Sequence, residues 1–96
     1  MTERQIELAR HALGLPNKKR TSYRNHFCIG QGGEGHAEWM DLVAKGMAWR
    51  ATGPHWGGAD MFYLSMKGAL AARLPNEHIS REDADNMRRR DERKAV

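Results

Sequence analysis

The sequence predicts an α+β fold, mainly helical, with one β-hairpin and a charged C-terminal helix or tail. Three observations carry this. Apolar residues recur at helical spacing in separate segments, each bounded by capping or breaking residues. Residues 47–52 alternate with a period of two, and residues 80–96 are dominated by charge. With 96 residues, 40% apolar and 29% charged, the chain has material for one hydrophobic core and not for two. The expected organisation is a folded unit over residues 1–79 followed by a charged helix or tail over 80–96.

The first helix is predicted over residues 3–13. Thr2 and Gln5 have the spacing of a capping box, Ile6, Ala9 and Leu13 recur beside Leu8 and Ala12, and Gly14 with Pro16 supplies the stop. After a basic loop at residues 17–21, Ser22 is placed to cap a short helical segment with Tyr23 and Phe27 four apart on one face. A glycine-rich loop at residues 31–35 leads into a helix whose stripe is Trp39, Leu42 and Val43 and whose end is Gly46. The strand at 47–52, the glycine-rich segment 53–60 and the aromatic run at 61–65 read as a hairpin with a long tip. Ser65 then caps a helix in which Met66, Leu70 and Leu74 repeat every four residues, before Pro75. The predicted core is Leu13, Phe27, Trp39, Leu42, Val43, Trp49, Phe62, Leu64, Leu70 and Leu74. Beyond Ser80 only Ala84 and Met87 are placed to face a core, so that segment is predicted to be a solvated, fraying helix that the fold does not require.

Charge is unevenly spread within a formal net charge of +4. Residues 8–33 contain no acid but hold Arg10, Lys18, Lys19, Arg20 and Arg24, which makes a local basic patch. In the C-terminal segment Arg81, Arg88, Arg89, Arg90, Arg93 and Lys94 face Glu82, Asp83, Asp85, Asp91 and Glu92, and the sum nearly cancels. Cys28, the single cysteine, has no internal disulfide partner, and the opening residues MTERQIELAR lack the apolar run of a signal peptide or membrane span. A reducing cytoplasm, with no membrane association, is the expected setting.

The order helix, short helix, helix, hairpin, helix resembles the winged helix-turn-helix domains of bacterial transcription regulators. The marks are Leu42 and Gly46 ahead of the wing and Tyr63, Leu64, Ser65 and Gly68 after it, within a stretch of roughly 35 residues. The front of the chain, ELARHALGLP followed by SYRNHF, is similar to small uncharacterised proteins encoded by bacteriophages and prophages. This second resemblance implies a phage-type origin, hence a bacterial host cell, and no activity, while the winged-helix resemblance implies a regulator or accessory protein with nucleic acid as partner. In that family the helix before the wing enters the major groove. Here that helix carries Glu38, Asp41 and Lys45, a net negative charge that opposes phosphate contact and departs from the family pattern.

The cations lie elsewhere. Lys18, Lys19 and Arg20 are the candidates for phosphate contact, Arg24, Asn25 and His26 for bases, and Arg50 and His55 for contact from the wing. An ordinary solvated basic surface is the alternative reading of the same residues. A second functional reading is a protein-interaction module that binds host or virion machinery through Trp56 and His55 in the hairpin tip and Glu38 and Asp41 on the acidic helix. Self-association into a homodimer is left open. No metal, cofactor or catalytic centre is predicted. His26, Cys28, His36 and His55 lack the spacing of a closed zinc site, no oxyanion-donor loop or orienting carboxylate accompanies Cys28, and GQGGEG lacks the Gly-Lys-Ser/Thr ending of a phosphate loop.

Overall fold

The computed structural model describes residues 1–52 and 57–95. The elements run α1 (Glu3–Leu13), β1 (Phe27–Ile29), α2 (His36–Ala44), β2 (Ala48–Thr52), β3 (Asp60–Leu64), α3 (Met66–Ala72) and α4 (Arg81–Ala95). The strands form one antiparallel sheet in the order β1-β3-β2, with Phe27 opposite Phe62 and Trp49 opposite Tyr63. The Cα radius of gyration is 12.7 Å, against about 12–13 Å for one compact body of this length. Among the described residues no helix is long and apolar enough to cross a membrane.

Local signals set α1. Thr2 Oγ1 accepts from Gln5 N at 3.1 Å while Gln5 Oε1 accepts from Thr2 N at 2.9 Å, the reciprocal capping box that the spacing predicts. Gly14 closes the helix at φ 78°, a left-handed position that glycine occupies without penalty. The sheet alternates as strands do. Phe62 and Leu64 face α1 and α2 together with Ala48 from β2, and Phe62 stacks on Trp39 of α2 with ring centroids 5.4 Å apart. Leu8, Ala9, Ala12, Leu13, Leu15, Leu42, Ala69, Ala72 and Met87 complete this core, with Phe27 and Val43 half-buried at its margin.

Four expectations need correction. The segment at residues 22–27 is extended and runs into β1 instead of forming a helix. Its backbone donors find distant acceptors: Tyr23 N donates to Leu13 O and His26 N to Ala12 O, while Ser22 N donates to His78 O at 2.9 Å. The Ser22 hydroxyl, expected to cap locally, donates to Asp83 Oδ2 at 2.6 Å. Once those groups are satisfied across the fold, a single helical turn has nothing to add. One helix, α2, therefore lies between β1 and β2.

α3 is capped by Ser65 as expected, but it presents a different face to the core. Leu70 and Leu74 are each 51% exposed, and Gly68, Ala69 and Ala72 are buried instead. The helix sits against the backbone of the α2–β2 turn: a Cβ on Gly68 would fall 2.0 Å from the Met47 carbonyl oxygen. So close an approach admits only small side chains on the inner face, and the leucine stripe is turned outward. Trp49 is likewise outside the main core. It lies on the opposite face of the sheet from Phe62, half-buried beneath α4.

α4 is docked and does not fray into solvent. Met87 is fully buried and Asp83 nearly so. Asp91 accepts from Trp49 Nε1, and the Arg90 guanidinium lies 4.0 Å from the centroid of the Tyr63 ring. Apolar periodicity gave no sign of the contacts made by Asp83, Asp91 and Arg90, which are polar or cation–π.

Candidate nucleic-acid interface

The basic loop at residues 17–24 is held at every turn. Asn17 Nδ2 donates to Gly14 O at 3.0 Å and to Thr21 O at 2.8 Å. Thr21 pairs with His78 in a parallel bridge, with His78 N donating to Arg20 O at 2.8 Å. Arg20 adopts φ 52°, the left-handed turn conformation that arginine rarely takes, which this bridge on one side and Asn17 on the other impose. Lys18, Lys19 and Arg20 project from the loop as exposed side chains. Among the described residues no carboxylate lies within ion-pair distance of any of the three.

Tyr23 stands beside them, 63% exposed, with its ring against Gly14, where an added Cβ would meet ring carbons at 2.2–2.7 Å. The glycine thus closes α1 and makes room for the aromatic ring. Arg24 donates from Nε and Nη2 to His11 O, and its guanidinium lies 5.2 Å from the Tyr23 ring centroid. Asn17, Lys18, Lys19, Thr21, Ser22 and Tyr23 line a concavity of about 490 Å³. The arrangement places positive charge and an aromatic face around one depression, the chemistry that accepts a phosphate beside a planar base.

Two residues named with this patch do other work. Asn25 brackets the backbone of Leu64, donating to its carbonyl at 3.0 Å and accepting from its N–H at 2.9 Å, so its amide is engaged in joining β1 to β3. Arg50 is ion-paired with Asp60, its Nε 2.9 Å from Oδ2. His36 Nε2 reaches the same oxygen at 2.7 Å. The hydrogen bond from His36 and the Arg50 cation, against the opposing effect of burial, hold Asp60 below the ordinary carboxylate range. This cluster anchors the base of the hairpin to the start of α2. Sequence reasoning missed it, since no spacing rule links residues 36, 50 and 60.

Of the protein-interaction candidates, Asp41 accepts from Gln5 Nε2 at 2.6 Å and pairs with Lys45 at 2.8 Å, contacts that lower its pKa. Glu38 is half-buried, and its carbonyl accepts from the same Gln5 amide. Gln5 of α1 thus engages the Asp41 side chain, which stays exposed, and the Glu38 backbone. His55 and Trp56 lie outside the described residues. Among the described residues, no group of three or more His, Cys, Asp or Glu is placed to hold a metal ion. Comparison of the chain with protein-family models, with curated proteins and with solved structures finds no match. Any functional reading therefore rests on the chemistry of the surface itself.

Proposed function

We propose that this is a small nucleic-acid-binding accessory or regulatory protein of phage type, acting in the cytoplasm of a bacterial host cell. One observation carries the reading: Lys18, Lys19 and Arg20 project, without acidic partners among the described residues, from a loop whose backbone is fixed on both sides. A pinned loop loses little conformational entropy when its cations meet phosphates, and uncompensated cations release counterions when they do so. The pairing of β1 with β3 and the β2–β3 hairpin support a winged-helix-like build. The presence of one helix between β1 and β2, where a helix-turn-helix has two, argues that contact is made through the loop and not through a recognition helix.

The test is binding to mixed-sequence duplex DNA between low and moderate salt. Replacing Lys18, Lys19 and Arg20 by Ala is expected to flatten the slope of log affinity against log salt by up to about 2.7, at about 0.9 per lost phosphate contact. Absence of binding by the parent protein at low salt would end this reading. A second reading, a protein-interaction module, draws on Leu70 and Leu74, which stand exposed four residues apart. Binding through that pair would be insensitive to salt and lost in the Leu70→Ala/Leu74→Ala variant.

A further inference from the structure

By composition the C-terminal segment nearly cancels its own charge, yet the fold engages most of its acids and leaves several of its cations in water. Asp83 is buried under the Ser22 hydroxyl. Asp85 is ion-paired with Arg88 on the same helix. Asp91 is turned toward β2 and the start of α3, where Trp49 Nε1 and Met66 N donate to its two oxygens. Three of the five acids are thus engaged within the molecule, and Glu82 and Glu92 are left exposed. On the other side of the balance, Arg89, Arg93 and Lys94 are exposed, and among the described residues Arg89 donates only to the neutral Asn86 amide. No ion pair joins Arg89, Arg93 or Lys94 to a described carboxylate.

These cations border two adjoining concavities that share Arg90 and Arg93. One, of about 480 Å³, also includes Asn86, Arg89 and Glu92. The other, of about 460 Å³, is walled by Trp49 and Tyr63 from the sheet and by Lys94 from the helix. The geometry points to a second nucleic-acid contact here: Arg89, Arg93 and Lys94 take backbone phosphates of the same ligand that the basic loop holds, with Trp49 and Tyr63 as the apolar wall of the groove.

This inference rests on the reading of the basic loop. It also extends it, because the two surfaces lie at opposite ends of α4. The loop is fastened to the start of the helix through Ser22 and Asp83, and the groove lies at its last turns. From residue 83 to residue 93 the helix rises about 15 Å. That span corresponds to between four and five steps of one duplex strand at about 3.4 Å each. One ligand engaged at both ends gains from the high effective concentration of the second contact once the first is made.

Arg93 and Lys94 also complement the carbonyl end of α4, a purely structural role that would leave binding unchanged. The experiment separates the two. The Arg89→Gln/Arg93→Gln/Lys94→Gln variant is compared with the parent and with the Lys18→Ala/Lys19→Ala/Arg20→Ala variant, using a mixed 20-base-pair duplex at a series of salt concentrations. The α4 variant is expected to flatten the salt slope by up to about 2.7, equivalent to a roughly 3.5-fold smaller loss of affinity per contact between 50 and 200 mM salt. Circular dichroism is expected to show parental helix content. Should the triple variant lose helix, Arg93→Gln alone is measured, with an expected flattening of about 0.9. A parental slope in the α4 variant, with flattening in the loop variant, overturns the second contact and leaves the first standing. Flattening in the α4 variant alone supports the groove and removes the loop from the interface. No binding by the parent overturns both.

Discussion

The carboxylate of Asp91 receives the indole N–H of Trp49 at 2.6 Å on one oxygen and the backbone N–H of Met66 at 3.0 Å on the other. A single side chain therefore ties the edge strand β2 and the start of α3 to the last turns of α4. With Met87 buried four residues earlier, on the same side of the helix, α4 is held by one apolar plug and a polar clasp.

Removal of α4 is accordingly expected to be costly, in contrast to what its composition suggests. Met87→Ala should destabilise by roughly 2–5 kcal/mol through the cavity it leaves. Asp91→Ala should cost about 1–3 kcal/mol by orphaning two donors. Chemical denaturation of the two variants, and of a chain cut after residue 80, checks this. A shortened chain that melts within about 2 °C of the parent would show that the helix contributes nothing, since 1 kcal/mol alone moves the midpoint of a domain this size by about 4–8 °C.

The inward face of α3 makes a prediction with an unusual sign. Replacing glycine by alanine inside a helix ordinarily stabilises by about 1 kcal/mol. At Gly68 the added methyl would sit 2.0 Å from the Met47 carbonyl oxygen, so α3 must shift, and Gly68→Ala should destabilise by about 1–3 kcal/mol or more. Leu70→Ala on the outer face should cost less than about 1 kcal/mol, because the side chain is half in water already. Leu42→Ala, fully buried, should cost roughly 2–5 kcal/mol. Urea midpoints that rank Leu70 with Leu42 would contradict the observed orientation of α3.

Acid should weaken the fold through Glu77. This carboxylate is buried, is hydrogen-bonded by both terminal nitrogens of Arg10, and accepts from Leu74 N at 2.7 Å. The Arg10 hydrogen bonds, against the opposing effect of burial, hold it below the ordinary glutamate range. Because the folded value is lower than the unfolded one, the stabilisation is complete above the ordinary glutamate pKa of about 4.3 and is lost as pH falls from there through the folded value. Stability measured from pH 6 down to pH 3 should therefore decline, and the decline should be shallower in Glu77→Gln. Identical pH profiles for the parent and that variant would exclude Glu77 as a source of the loss.

How far the fold could be read in advance depended on the range of the interactions that make it. α1, α2 and the hairpin follow from residues a few positions apart: a capping box from Thr2 and Gln5, a stripe from Trp39, Leu42 and Val43, an alternation over residues 47–52. The exposed cations Lys18, Lys19 and Arg20 were legible for the same reason, as a run of like charge beside a glycine and a proline. Asn25 and Arg50 looked equally available, but their partners Leu64 and Asp60 are supplied by a strand later in the chain.

By itself, then, the sequence determined where the chain turns, which segments are helical or extended by local preference, and that one loop is basic. Tertiary structure alone decided that residues 22–27 are extended, that α3 buries its small residues, and that α4 docks with Asp83 and Asp91 turned inward while Arg89, Arg93 and Lys94 stay exposed. The physical reason is distance along the chain. Periodicity and capping report hydrogen bonds and burial within one or two turns. Ser22 with Asp83, Asn25 with Leu64 and Trp49 with Asp91 are joined across 61, 39 and 42 residues. Those long-range partners decide which charges remain in water.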